Sequence, residues 1–113
     1  MLELTSSDAL HHRISGAPTL DDAKAARALF DPALAEIEAT NTDSTITRTI
    51  EVSLAGIEHG NSVLISLMLV WMRRARRAGV GILFVEIPRL GSSLIDFTGL
   101  DEVLPIVKSD AAA

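Results

Sequence analysis

Apolar and polar positions divide the chain into segments with different periods. From Thr45 to Ile57 (TITRTIEVSLAGI) apolar side chains alternate, Ile46 and then Ile50, Val52 and Leu54, among β-branched residues, which predicts a half-buried strand. Val63 to Ala78 is apolar almost all round in its first half, broken only by Ser66 between Val63 and Met72, and predicts a deeply packed helix. Val80 to Ile87 (VGILFVEI) is a short continuous apolar run, the pattern of a central parallel strand covered on both faces. Earlier, Ala9 to Ser15 (ALHHRIS) reads as an edge strand that stops at the breaker cluster Gly16-Ala17-Pro18. The alanine-rich segment from Asp22 to about Thr40 predicts a helix whose apolar face carries Leu29, Ala33, Leu34 and Ile37.

The ends of these segments carry matching signals. Thr19 or Asp21 can cap the first helix, with Asp21 and Asp22 at its positive end. Pro32 should kink that helix or restart it with Asp31 as cap. Asn41 to Ser44 reads as a polar turn. Glu58-His59-Gly60-Asn61-Ser62 forms a short loop, with Asn61 or Ser62 able to cap the long helix. The helix finishes in Arg73, Arg74, Arg76 and Arg77, which complement its negative end, and Gly79 suits the position beyond it. After Pro88 a weaker helix runs from about Arg89 to Phe97, Gly99 ends it, and Leu100 to Val107 can add a last strand; residues 108–113 are expected to fray. Strand, helix, strand, helix, strand, helix implies an α/β fold with a mostly parallel or mixed small sheet.

Composition narrows the class. At 113 residues the chain is one domain, with its core expected within about residues 9–107. With 48% hydrophobic and 22% charged residues it is not a disordered chain, and with no cysteine it is not a disulfide scaffold. A net charge of −5 argues against nucleic acid as a partner. Residues 1–60 hold ten acids and four bases, while residues 61–113 hold five acids and six bases, so the charge is carried by the first half. Only four aromatics (Phe30, Trp71, Phe84 and Phe97) accompany the many aliphatic residues. Such an excess permits a partner-covered surface, although the apolar helix and strand absorb much of it. The N-terminal segment lacks the basic and apolar regions of a signal peptide, and no apolar stretch reaches the ~20 residues of a membrane span. These features imply a cytoplasmic protein.

Catalytic chemistry has few candidates. No phosphate loop, HExxH, GxSxG or CxxC occurs, and no motif supplies a nucleophile with its base, so no enzyme activity and no cofactor are expected. His11 and His12, adjacent in a strand, point to opposite faces and do not make a metal site. The acid pairs Asp21 with Asp22 and Glu36 with Glu38 do not share a helix face and read as solvated charge.

The most informative stretch is LAGIEHGNSVLISLMLVWMRRARRAG, Leu54 to Gly79. A strand runs into a tight polar loop that opens a long aliphatic helix ending in basic residues. This resembles the STAS domain, found in anti-sigma factor antagonists and at the C-termini of sulfate transporters, where the loop reads Asp-Ser/Thr-Ser/Gly-Gly-Leu. RISGAPTLDDA (Arg13 to Ala23), GVGILFVEIP and LIDFTGLDEVLP (Leu94 to Pro105) resemble other segments of the family in order and spacing. The resemblance implies the STAS fold, with the long helix after the second or third strand. The aliphatic helix with its Ala-Arg-Arg ending is most similar to the MlaB type, accessory subunits of a bacterial phospholipid-transport ABC complex. That similarity implies a non-catalytic protein that binds an MlaF-like ATPase subunit, sits at the inner membrane only through that complex, and supports phospholipid trafficking and outer-membrane lipid asymmetry. It allows a homodimer of the free domain.

The family's contact surface maps onto Glu58, His59, Gly60, Asn61 and Ser62 as partner-binding residues. Two departures stand out. Glu58 replaces the family's Asp, and His59 occupies the position where anti-sigma factor antagonists carry a phosphorylatable Ser or Thr. Histidine cannot serve a serine kinase, which weighs against the alternative function, an anti-sigma factor antagonist switched by phosphorylation. Ser62 is left as the possible acceptor, with helix capping as its other role. Glu58 can bond the free N–H groups of the long helix or meet a partner. The arginine cluster can be a solvated helix end or face an acidic partner or lipid headgroups. Trp71 is expected in the core.

Overall fold

A computed structural model of the chain describes residues 2–40, 48–58 and 62–88, together with 93, 95, 99, 104 and 106. Among the described residues four strands form one sheet: β1 (Glu3–Ser6), β2 (His11–Gly16), β3 (Thr49–Ile57) and β4 (Gly81–Val85), in the spatial order β1-β2-β3-β4. β1 is antiparallel to β2, whereas β2, β3 and β4 run parallel. Helices α1 (Leu20–Ala26) and α2 (Asp31–Thr40) connect β2 to β3, and the long helix α3 (Ser62–Arg77) connects β3 to β4. This is the expected mixed α/β architecture, with the long helix after the third strand.

Two expectations about the sheet need correction. The segment read as an edge strand is interior, because β1 pairs along its outer side, Glu3 opposite Ser15 and Ser6 opposite His12. β1 escapes sequence reading because its alternation, Leu2 and Leu4 with Glu3 and Thr5 between and after them, is too short to mark a strand without its partner. It is held by pairing and by a turn in which the Asp8 carboxylate accepts the Leu10 and His11 backbone N–H groups at 2.8 and 2.9 Å. The second correction concerns β4. Its burial alternates, Ile82 and Phe84 inside and Gly81, Leu83 and Val85 half-exposed, so it is not covered on both faces. Among the described residues its neighbours are β3 and, through a parallel bridge from Phe84, Ile106.

The core lies between one face of the sheet and the helices. Ile14, Ile50, Val52, Leu54, Ile82 and Phe84 point toward Leu64, Leu67, Met68, Trp71 and Ala75 of α3 and toward Phe30, Leu34 and Ile37 around α2. Trp71 is fully buried and stacks edge-to-face with Phe30 at 5.3 Å between ring centroids. Phe84 lies 6.4 Å from Trp71 on its other side. Three of the few aromatics thus occupy one place, and aliphatic side chains fill the rest.

The Asp22–Thr40 segment is two helices. It restarts at Asp31-Pro32, where proline fits the first turn because no N–H is needed there. Asp31 also receives Arg74 Nη1 from α3, with Oδ2 at 2.6 Å. α3 stops as its sequence predicts. Gly79 takes φ 73°, its N–H bonds the Arg76 carbonyl at 3.1 Å, and Val80 N–H bonds the Ala75 carbonyl at 2.9 Å, a Schellman closure sealed by buried Val80. The predicted turn at Asn41–Ser44 lies outside the described residues. Of the predicted last helix and strand, Ser93 and Ile95 are helical, Gly99 has φ 75°, Leu104 is buried and Ile106 bridges to β4.

Candidate functional site

Parallel strands bring their carboxyl ends, and the turns that follow them, to one edge of a sheet, where α/β proteins build their sites. Here those ends are Gly16, Ile57 and Val85. The chain leaving β3 is pinned to the chain leaving β2, since Glu58 N–H bonds the Gly16 carbonyl at 2.8 Å. A register irregularity between Arg13 and Ser15 sets this junction, with Arg13 opposite Ser53 but Ser15 opposite Gly56. Gly56 is required there, because a Cβ would lie 2.8 Å from the Ser15 Cβ. At the end of β4, Glu86 takes φ 55°, a left-handed conformation that is uncommon for a residue with a side chain. Helices α1 and α3 therefore start side by side, from Leu20 and from Ser62.

Of the residues expected to meet a partner, Glu58 and Ser62 are described, and both are exposed. His59, Gly60 and Asn61 lie outside the described residues. The Glu58 carboxylate bonds none of the described residues of α3, and Ser62 contributes its carbonyl to the Ser66 hydroxyl at 3.1 Å. The edge is thus polar and solvent-facing at the start of α3.

Beside it lies a groove of about 330 Å³ between α1 and α3. Leu20 and Ala23 line its α1 side; Val63, Leu67 and Val70 line its α3 side, with Ser62 and Ser66 at its polar margin. Leu20 is 81% exposed, the one large hydrophobic side chain so placed among the described residues. Arg27 lines the same groove, and its guanidinium joins no ion pair among the described residues. On α3 the stripe Val63, Ser66, Val70 continues at three- and four-residue spacing to Arg73, Arg74 and Arg77. The surface is therefore apolar near the helix starts and cationic farther along. It can accept apolar side chains together with a carboxylate, and it offers no nucleophile–base pair. Sequence reading missed α1's part in it. The available signal was Leu20, an apolar residue at a helix start, outside the Leu29–Ile37 stripe.

The remaining candidates separate clearly. His11 and His12 face opposite sides of β2, His11 exposed and His12 buried. His11 Nδ1 lies 2.9 Å from the Asp8 carboxylate and its Nε2 lies 3.6 Å from Glu51. The hydrogen bond to Asp8, and then its charge, hold the His11 imidazole above its ordinary range, with Glu51 adding a weaker pull. The same hydrogen bond, aided by the Leu10 N–H, holds Asp8 below the ordinary carboxylate range. Among the described residues no group of three His, Cys, Asp or Glu side chains is placed to hold a metal ion. Arg73, Arg76 and Arg77 are exposed, and Trp71 is in the core as expected. Among the described residues, no helix is long and apolar enough to cross a membrane.

No protein-family model matches the sequence, and no curated protein sequence does. Solved structures do match. The anti-sigma factor antagonist SpoIIAA in its unphosphorylated form aligns with a TM-score of 0.64 at 15% identity, over 99% of this chain and 92% of that one. An anti-sigma factor antagonist from Mycobacterium paratuberculosis aligns with a TM-score of 0.61 at 19% identity, over 99% of this chain and 89% of that one. The chain thus has the fold of these antagonists, the STAS fold that its sequence resemblance implies.

Proposed function

We propose that this STAS-fold domain is a non-catalytic interaction module, docking a protein partner at the edge where α1 and α3 begin. The observation that carries this reading is the exposed Leu20 beside an apolar groove edged by Arg27 and Ser62. A monomeric domain gains nothing from leaving a leucine in water, whereas burying it against a partner contributes about 1.5–3 kcal/mol. Glu58, His59, Gly60, Asn61 and Ser62 belong to the same docking surface.

The partner in this proposal is the cytoplasmic ATPase of an ABC lipid transporter, with any membrane association indirect. The MlaB-like aliphatic helix and its Ala-Arg-Arg ending support that choice, as does His59 in place of a phosphorylatable residue. A second reading, an anti-sigma factor antagonist controlled by phosphorylation, is supported by the two solved structures, whose proteins are such antagonists. Exposed Ser62 at the start of α3 would then be the phosphate acceptor.

Co-purification of the tagged chain from its native cells, followed by direct binding to the recovered partner, tests both. An ABC ATPase whose binding is lost in Leu20→Asp supports the first reading. A serine kinase that places phosphate on Ser62 replaces it with the second. Capture of neither, or capture indifferent to Leu20→Asp, overturns the docking surface.

A further inference from the structure

A second cleft, of about 410 Å³, lies at the opposite end of β2, between the β1–β2 turn and the first turn of α2. Ser6 and His12 meet there. His12 is 5% exposed, and both of its ring nitrogens are engaged. Nε2 is 3.0 Å from the Ala9 carbonyl, which can only accept, so Nε2 carries the ring proton. Nδ1 of the neutral ring is then an acceptor, and the Ser6 hydroxyl, 2.7 Å away, donates to it. Phe30 closes one side of the ring edge-on, with centroids 6.0 Å apart. An exposed serine hydroxyl is thus aimed at a fixed base that is itself oriented by a third group, the arrangement that activates serine nucleophiles.

The surroundings select the electrophile. Asp8 and Glu36 line the cleft with Leu29 and Pro32, which disfavours a phosphate and suits an uncharged carbonyl carrying an apolar group. Pro32 and Ala33 bring the first turn of α2 to the same cleft.

We propose that Ser6 is an acyl-accepting nucleophile, with His12 as its general base and activated esters or thioesters as acyl donors. Ser6 Oγ attacks the acyl carbon while its proton passes to His12 Nδ1. The bond from the acyl carbon to the leaving oxygen or sulfur then breaks, and the leaving group takes the proton from Nδ1. The product is an O-acylated Ser6 and a free alcohol or thiol, with no change of oxidation state. This site is separate from the docking groove and does not depend on it.

The test is acetylation of the full chain by p-nitrophenyl acetate, with the site and its initial rate read by peptide mass spectrometry. Ser7, exposed and adjacent, donates to the His11 carbonyl at 3.4 Å and meets no base among the described residues, so it serves as an internal control. General-base assistance is worth 10²–10⁴-fold, so Ser6 is expected to react about 100-fold faster than Ser7. His12→Gln, with folding verified by circular dichroism, should abolish that preference, and Ser6→Ala should remove the label. Ser6 reacting no faster than Ser7 in the unaltered chain overturns the proposal, whether or not His12→Gln folds. Retention of the preference in folded His12→Gln overturns it as well.

Discussion

The Trp71 indole N–H donates to the Ala26 carbonyl at 2.8 Å, tying the middle of α3 to the last residue of α1. The two residues are 45 positions apart in the chain, and both are buried. The bond fixes how α1 lies against α3 and therefore shapes the groove between them. The Ala26 carbonyl also accepts the Leu29 N–H at 3.1 Å, so losing the indole does not leave it unpaired. Trp71→Phe should therefore cost the indole's hydrogen bond and some packing, roughly 1–2 kcal/mol. A urea denaturation midpoint unchanged from the parent chain would contradict this.

Two glycines should respond to alanine for different reasons. Gly56→Ala drives a methyl to 2.8 Å from the Ser15 Cβ and 3.0 Å from the Ile14 carbonyl oxygen, and should cost roughly 1–3 kcal/mol. Ser15→Gly in the same chain should restore part of the loss, since the contacts with the Ile14 oxygen and the Ser15 Cα remain. Gly79→Ala meets no atom within 4 Å, but φ is 73°, so it should cost roughly 1–2 kcal/mol from backbone conformation alone. Gly79→Asn should be milder than Gly79→Ala, because asparagine tolerates that region better. Equal losses for Asn and Ala, or no recovery with Ser15→Gly, would refute these assignments.

The Arg74–Asp31 pair is short but partly open to solvent, with side chains 34% and 47% exposed. Solvent screening holds such pairs to at most about 1 kcal/mol. Asp31→Asn should shift the thermal midpoint slightly, and the shift should shrink in 1 M salt. A loss comparable to a core substitution would show that Asp31 does more than pair with Arg74.

The Asp8–His11 contact makes the β1–β2 turn dependent on pH. His11 is raised by its hydrogen bond to Asp8, so its contribution is fully present below its ordinary pKa of 6.5 and is lost as pH rises through the higher folded value. Asp8 is lowered from 3.8, so its contribution is present above that value and is lost as pH falls through the lower folded value. The turn is therefore held best between those limits. NMR titration should place the His11 midpoint above 6.5 in the parent chain and return it toward 6.5 in Asp8→Asn. An unmoved midpoint would sink this reading.

Leu20→Ser should leave stability almost unchanged, because Leu20 is 81% exposed. It should weaken partner binding about tenfold or more, since each factor of ten corresponds to about 1.4 kcal/mol. Arg27→Glu should do the same with a stronger salt dependence. Titration calorimetry against the captured partner reads both. Full affinity in both variants would remove the groove from the docking surface.

Much of the fold was legible because it depends on local periodicity. The alternation read over Thr45–Ile57 appears as a strand over Thr49–Ile57, residues 45–47 lying outside the described residues, and the apolar helix from Val63 and the glycine stop at Gly79 are also present. β1 was not legible, because an alternation as short as Leu2 and Leu4 becomes a strand only through pairing with its neighbour. The double cover expected for β4 failed for a related reason. Leu83 and Val85 are as apolar as Ile82 and Phe84, and only the placement of the helices decides which pair is buried. At the candidate site, Glu58 and Ser62 are the expected partner-binding residues that the structure describes, and both are exposed. Leu20 and Arg27 could not be read from residue types, since they face Val63 and Leu67 only after α1 packs on α3.

Local pattern was therefore enough for the mixed α/β class and for the order of β2, β3, α3 and β4, but not for β1 or for the division between α1 and α2. Side-chain periodicity and backbone propensity act within a few residues and need no knowledge of distant partners. The tertiary structure decided which faces are covered. It alone joined Trp71 to Ala26, opened a groove beside Leu20, and set Ser6 against a buried His12 whose neighbour in sequence, His11, faces water. Those relationships come from strand register and helix packing, which bring together residues that no local pattern connects.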